Sequence, residues 1–162
     1  MARRTSKPRD VDQPRAIATG LFAALVVGLL LSGLAQPLGL EQLDSPPVLG
    51  AYIARAVNLP EGIVALALGW SLVGVWGAAC SLIFARYFSD RLVGPGWLQG
   101  MIYSGAVLFV ISLLFRAGIH WARSVATLPL DLFDGPVVLA NFVGHCLFGL
   151  MLGLFNRRRL VF

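Results

Sequence analysis

Four long apolar runs divide this chain of 162 residues, and they constrain its fold more than any other feature. They cover residues 16–35, 62–84, 97–115 and 136–155. An α-helix needs about 20 apolar residues to cross the hydrocarbon core of a bilayer. Only 13% of the residues are charged, whereas a soluble domain has about 25%. The pattern predicts an all-α membrane protein with four transmembrane helices.

Polar segments flank and separate these runs. Residues 1–15 form a basic N-terminal tail and residues 156–162 a basic C-terminal tail, so residues 16–155 are predicted as one transmembrane domain. The connection between the first two spans contains residues 48–57, which are amphipathic and too short to cross a membrane. This stretch predicts a short interfacial helix in an outer loop. Asn58 after it is predicted to cap the second span.

The distribution of basic residues predicts the orientation of the spans. The two tails and the connection between the second and third spans carry ten Lys and Arg residues, whereas the two longer connections carry three. Cytoplasmic segments carry such an excess of basic residues. Both termini are therefore predicted in the cytoplasm, with the protein in a prokaryotic inner membrane. Because the basic residues adjoin apolar spans without interleaved aromatics, they predict contact with the lipid bilayer and not with nucleic acid.

Small and polar residues inside the spans predict where helices pack together. Asn141 and His145 stand out in the last run, and glycines continue their four-residue spacing, so all of them share one helix face. Small residues let membrane helices approach closely, and polar side chains form hydrogen bonds between them. The predicted helix-packing residues are Gly69, Gly74, Gly77, Asn141, His145, Gly149 and Gly153. Trp70 and Trp76 lie deep in the second run, so both are predicted to face protein.

Two short motifs suggest an internal repeat. The sequence GWSLVG at 69–74 parallels GHCLFG at 144–149, an offset of 75 residues. The first and third runs match weakly at an offset of 80 residues, where Gly20 corresponds to Gly100. These matches predict two tandem helical hairpins. A chance match in a sequence rich in Gly and Leu is the alternative.

The same motifs resemble those of an uncharacterised family of four-span membrane proteins from bacteria and archaea. Such proteins carry a Gly-Trp motif in the second span, here Gly69-Trp70, and a Gly-His-x-x-aromatic-Gly motif in the fourth, here 144–149. The resemblance covers most of the chain from Gly20 onward. It implies the four-span fold, and it implies no chemistry and no catalytic residue.

His145 has two interpretations. It could bind a cofactor, as an axial ligand of haem iron or of a chlorin magnesium. The only other histidine, His120, lies in the connection between the third and fourth spans, so two histidine ligands at one depth are not expected within one chain. The other interpretation is a structural histidine hydrogen-bonded to a polar group on a neighbouring helix. We predict the structural role, with no resident cofactor and no metal site.

The remaining residues separate three classes of function. No Asp, Glu, Lys or Arg lies well inside a span, which disfavours a transporter or channel, although a small oligomeric one stays an alternative. Asp131, Asp134 and His120 form no nucleophile–base arrangement, so no enzyme is predicted. We therefore predict a non-catalytic accessory or structural subunit of a larger membrane assembly, such as a respiratory or photosynthetic complex, or a self-associating protein. The predicted docking residues on the outer surface are Tyr52, Arg55, Trp121 and Arg123.

Overall fold

A computed structural model describes the regular parts of the chain. The described residues are 11–40, 45–60, 62–89, 91–114 and 135–156. Within these ranges all regular secondary structure is helical, which confirms the predicted all-α class.

The helices follow the apolar runs. In chain order they are α1 (Gln13–Ala35), α2 (Ser45–Ala56), α3 (Ile63–Phe88), α4 (Gly96–Leu114) and α5 (Gly135–Phe155). All except α2 are long and apolar enough to cross a membrane, which confirms the prediction of four spans. Their ends lie within four residues of the predicted ones, because the length of each apolar run decides where a spanning helix can start and stop.

The four long helices form two antiparallel hairpins, α1 with α3 and α4 with α5. In the first hairpin Gly20 and Gly77 face each other so closely that a Cβ on either would overlap the backbone of the other. In the second hairpin Gly100 and Gly149 make the corresponding contact. Glycine at a helix crossing lets the two backbones approach, which is the main source of packing energy between helices in lipid.

The weak 80-residue match and the 75-residue motif match have different structural meanings. Gly20 and Gly100, related by the 80-residue offset, both lie at the crossing of their hairpin. Gly74 and Gly149, related by the 75-residue offset, do not correspond. Gly74 contacts only the side chain of Leu21, 3.5 Å from a built Cβ, whereas Gly149 lies on the backbone of α4. The two hairpins therefore agree in where their helices cross, whereas corresponding glycines of the two short motifs make different contacts.

Aromatic and polar contacts join the two hairpins. The Tyr103 hydroxyl donates to the carbonyl oxygen of Cys80 at 3.1 Å. The Tyr103 ring packs against Phe84 and Phe88, with ring centroids 5.4 and 4.8 Å apart. Tyr103 is 1% exposed, so this cluster is the centre of the core between α3 and α4.

One end of the bundle is held by two further hydrogen-bonded contacts. The Arg15 guanidinium donates twice to the carbonyl oxygen of Phe155, at 3.0 and 2.7 Å. A cation at a helix C-terminus offsets the negative end of the helix dipole. Asn156 donates from Nδ2 to the Ser81 hydroxyl at 3.1 Å. Arg15, which the sequence assigns to the basic tail, therefore belongs to α1 and fixes it to the end of α5.

Two helices widen locally into π-helical turns, at Phe84–Phe88 in α3 and at Tyr103–Leu108 in α4. In the first, the Ser89 N–H bonds to the Phe84 carbonyl five residues back and not to that of Ala85. The Ser89 hydroxyl donates to the Ala85 carbonyl at 2.9 Å instead. The Ser89 side chain thus bonds to the carbonyl that its own N–H would reach in a regular α-helix.

The short helix α2 is confirmed, but it begins three residues before the predicted stretch and packs along α3. Pro46, Gly50 and Ala54 recur every four residues and form its buried face. A Cβ at Gly50 would overlap the Ala65 carbonyl, and one at Gly69 would overlap the Pro46 carbonyl. From one contact to the next the residue numbers rise along α2 and fall along α3, so the two helices are antiparallel.

The start of α2 lies inside the length of a membrane span. Gly69 is six residues past Ile63, the start of α3, or about 9 Å along the helix axis. A helix leaves its first N–H groups without intrahelical partners, and hydrocarbon offers none. Pro46 and Pro47 occupy the second and third positions of α2 and carry no N–H. The two prolines therefore remove donors where they would be costly, so α2 has the features of a re-entrant helix.

The predicted cap of the second span is wrong. Asn58 has a φ of 56° and terminates α2, while Gly62 precedes α3 without a side-chain cap. The Leu59 N–H donates to the Ala54 carbonyl at 2.8 Å and the Asn58 N–H to that of Arg55 at 3.2 Å. This pair of bonds is a Schellman motif, in which Asn is one of the residues that tolerate the left-handed position.

Candidate functional site

The polar face of α5 packs against α4, and we call this contact the α4–α5 seam. It consists of Gly100, Ser104 and Phe109 from α4 and of Asn141, His145 and Gly149 from α5. Beyond Gly149, a Cβ at Gly153 would overlap the backbone of Gly96. The four residues that the sequence places on one face of α5 thus lie on the side of the helix that faces protein, three buried and His145 half-buried.

The polar side chains of the seam bond to their own helix. Asn141 donates from Nδ2 to the Val137 carbonyl at 2.9 Å. His145 donates from Nδ1 to the Asn141 carbonyl at 2.8 Å, since a carbonyl oxygen can only accept. In these two bonds the acceptor is the carbonyl four residues earlier on the same helix, and the predicted bond to a neighbouring helix stays a prediction. Both residues also make further interactions.

Aromatic packing connects His145 to α4. The Phe109 ring lies edge-on to the imidazole, with centroids 5.7 Å apart and planes at 71°. Phe109 also meets Phe142, at 5.1 Å and 72°. Next to these rings the Cys146 sulfur lies 3.3 Å from a Cβ built at Gly105. The half of the seam beyond the glycine crossing is therefore filled with aromatic and sulfur atoms.

Ser104 was not predicted as a site residue, although its spacing from Gly100 is a detectable signal. Its side chain is fully buried at the helix crossing, and its Cβ lies 2.7 Å from a Cβ built at Gly149. Its hydroxyl has no hydrogen-bond partner within the described part of the chain. Ser81, equally buried, accepts from Asn156. The two serines are therefore equally buried, but only Ser81 has a hydrogen-bond partner among the described residues.

This contrast predicts opposite effects of the same substitution. Ser104→Ala should leave the free energy of unfolding unchanged or raise it by about 1 kcal/mol, because it removes a buried group that has no partner. Ser81→Ala should lower it by about 1 kcal/mol, because Asn156 loses its acceptor. Unfolding of each variant in mild detergent, followed by circular dichroism, measures both. Equal destabilisation by the two substitutions would show that Ser104 is bonded in the membrane.

The glycines predicted in the second span contact different helices. Gly69 of α3 contacts α2, and Gly77 of α3 contacts α1. Trp70 packs against α1, as predicted for a residue that faces protein. Its ring lies 3.0 Å from a Cβ built at Gly28. Trp76 is different, because 60% of its side chain is exposed on the surface of the chain. The described residues of this chain therefore leave most of Trp76 uncovered, and its contact with protein stays a prediction.

The predicted outer docking residues are only partly described. Tyr52 is half exposed and Arg55 is exposed, both on α2. Both make further interactions, so neither is a free group. Trp121 and Arg123 lie outside the described residues, as do His120, Asp131 and Asp134. Tyr52 and Arg55 flank the buried Ala54, which orients them away from α3.

The described ranges contain no cluster of three or more His, Cys, Asp or Glu side chains with the geometry of a metal site. Comparison of the chain with known protein families, with characterised proteins and with solved structures gives no match. The fold and the contacts of this chain are therefore the basis for its functional assignment. They define a multi-pass membrane protein with four spans and one short packed helix.

Proposed function

We propose that this protein is a non-catalytic integral membrane subunit, which acts through helix–helix contacts in a larger membrane assembly or with copies of itself. Respiratory and photosynthetic complexes are settings that would suit it. We place it in a prokaryotic inner membrane with both termini in the cytoplasm, because ten of its thirteen basic residues belong to the tails and the connection on that side.

The bonding of Asn141 and His145 carries this proposal. Catalytic and transport sites in membranes present polar groups to a cavity or a substrate pathway. Here Asn141 Nδ2 and His145 Nδ1 donate to carbonyl groups of their own helix. The same face continues into glycines that touch α4 through their backbones. This arrangement suits a helix surface built for packing.

Cofactor binding at His145 is the second candidate function. The bond from Nδ1 to the Asn141 carbonyl fixes the neutral tautomer whose Nε2 carries the lone pair. Metal-ligating histidines usually donate their other ring nitrogen to a carbonyl or carboxylate in this way. Haem iron or a chlorin magnesium would be the group bound.

Two variants of His145 distinguish the candidates. In the structural role, His145→Gln keeps a donor and should retain nearly all stability. His145→Leu should lower the free energy of unfolding by roughly 0.6 kcal/mol, the typical value of a membrane hydrogen bond. Both variants should leave the absorbance of protein purified from its native membrane unchanged, and partner subunits should co-purify with each.

The outcome that would overturn the structural role is specific. A Soret or chlorin absorbance band in the native protein that disappears in both variants would make His145 a cofactor ligand, because neither Gln nor Leu normally replaces imidazole at haem iron. A native protein that purifies as a monomer without any partner, under conditions that keep known assemblies intact, would contradict the proposed role as a subunit.

A further inference from the structure

Trp76 occupies an unusual place for tryptophan. It is the fourteenth residue of the 26-residue helix α3, roughly 20 Å from the start of the helix and near its middle. Its side chain is 60% exposed, and neighbouring Val75 is 65% exposed. The described residues make no hydrogen bond to its indole N–H. A hydrogen-bond donor therefore lies on the surface of this chain at mid-span.

Lipid does not supply an acceptor at that depth. Tryptophan concentrates at the two membrane interfaces, where its N–H can reach headgroups and water. The hydrocarbon core holds neither, so a polar group there finds its partner in protein. Because the described residues of this chain supply none, we look for the acceptor of Trp76 on a helix of another chain.

Ser71 offers such an acceptor across the exposed strip of α3 that contains Leu72 and Val75. Five residues turn a helix by about 140°, which places Ser71 and Trp76 at the two edges of that strip. In a parallel pair of helices, residues at the two edges of the contact strip meet those of the partner. Ser71 is exposed, five residues before Trp76, and its hydroxyl makes no hydrogen bond with the described residues. Side chains on a helix point back towards its N-terminus. The Trp76 ring therefore lies at a height along the α3 axis between the Cα atoms of Ser71 and Trp76.

In a two-fold contact, residue i of one copy meets residue j of the other copy, and residue j meets residue i. A surface that carries both a donor and an acceptor can therefore pair with itself. We propose that a second copy of this chain packs its α3 against this surface, with each Trp76 N–H donating to the Ser71 hydroxyl of the other copy. The two-fold axis runs along the membrane normal, so both copies keep the same orientation. This proposal rests on the proposed structural function and specifies self-association as its form.

The test measures dimerisation in liposomes by energy transfer between donor-labelled and acceptor-labelled copies, at several protein-to-lipid ratios. Trp76→Phe and Ser71→Ala should each weaken dimerisation by about 8-fold to 300-fold, because each substitution removes both symmetry-related bonds of the dimer and a single membrane hydrogen bond contributes about 3-fold to 20-fold. The double variant should be no weaker than the worse single variant, because both substitutions remove the same two bonds. Ser71→Thr keeps the hydroxyl and should dimerise like the unchanged chain.

Trp97→Phe is the matched control, since Trp97 is 42% exposed but lies at the start of α4. It should leave dimerisation unchanged. A chain that stays monomeric at every ratio would overturn this inference, as would a dimer unaffected by Trp76→Phe and Ser71→Ala. If that monomeric chain still co-purifies with other subunits from native membranes, the proposed function stands and only the second copy is refuted.

Discussion

Gly149→Leu should separate α4 from α5 and cause a large loss of stability. The built Cβ at this position overlaps the Gly100 carbonyl, which is backbone and cannot move aside like a flexible side chain. Overpacking in a well-packed interior costs about 1–3 kcal/mol and sometimes more. We expect a loss of about 3 kcal/mol or more in the free energy of unfolding in detergent, together with exposure of the seam.

Gly33→Leu is the matched control for this substitution. Gly33 also lies in a spanning helix, but a Cβ there meets nothing within 4 Å. The same change should leave stability unchanged or raise it slightly, since leucine favours helix more than glycine does. Thermal unfolding of the two variants side by side measures the difference. A similar, small effect from both would mean that α4 and α5 do not touch at Gly149 in the membrane.

The sequence was sufficient to predict what depends on hydrophobic length. The four spans follow because only a helix satisfies its own backbone across about 30 Å of hydrocarbon. The face shared by Gly149 and Gly153 follows from helical periodicity. Such features need no knowledge of the neighbouring helix, and for this reason they could be recognised in advance.

Features that depend on contacts with a neighbouring helix were harder to predict. A spanning helix is apolar all round, so periodicity does not show which residues of α3 contact another helix of this chain. Trp70 packs against α1, whereas Trp76 is exposed. The π-helical turns add no recognisable pattern to an apolar run. For His145, the sequence predicts a hydrogen bond but does not single out the Asn141 carbonyl, four residues earlier, as its acceptor.

The depth of α2 in the membrane is the part of the fold on which the sequence and the helix contacts point in different directions. Pro46, Gly50 and Ala54 form a small-residue face at helical spacing, but the stretch is too short to span, which favoured an interfacial position. The contact at Gly69 favours a deeper position for the start of α2, because the missing side chain admits the Pro46 carbonyl six residues into α3. We therefore expect the two ends of α2 to lie in different environments, with its start inside the hydrocarbon and its end at the surface.

Cysteine labelling tests this arrangement and the four-span topology together. Val48 and Val57 are suitable positions because their exposures within the chain are nearly equal, 53% and 55%, so only the membrane can make them differ. Val93, which is 87% exposed, lies between α3 and α4 at the opposite end of the bundle. Each is changed to cysteine in a background without Cys80 and Cys146 and treated with an impermeant maleimide in intact cells.

Val57→Cys should react from outside, Val93→Cys should react only after permeabilisation, and Val48→Cys should stay unreactive in both conditions while the membrane is intact. Equal labelling of Val48→Cys and Val57→Cys from outside would show that α2 lies on the membrane surface and does not enter it. Labelling of Val57→Cys and Val93→Cys from the same side would contradict the four-span bundle itself.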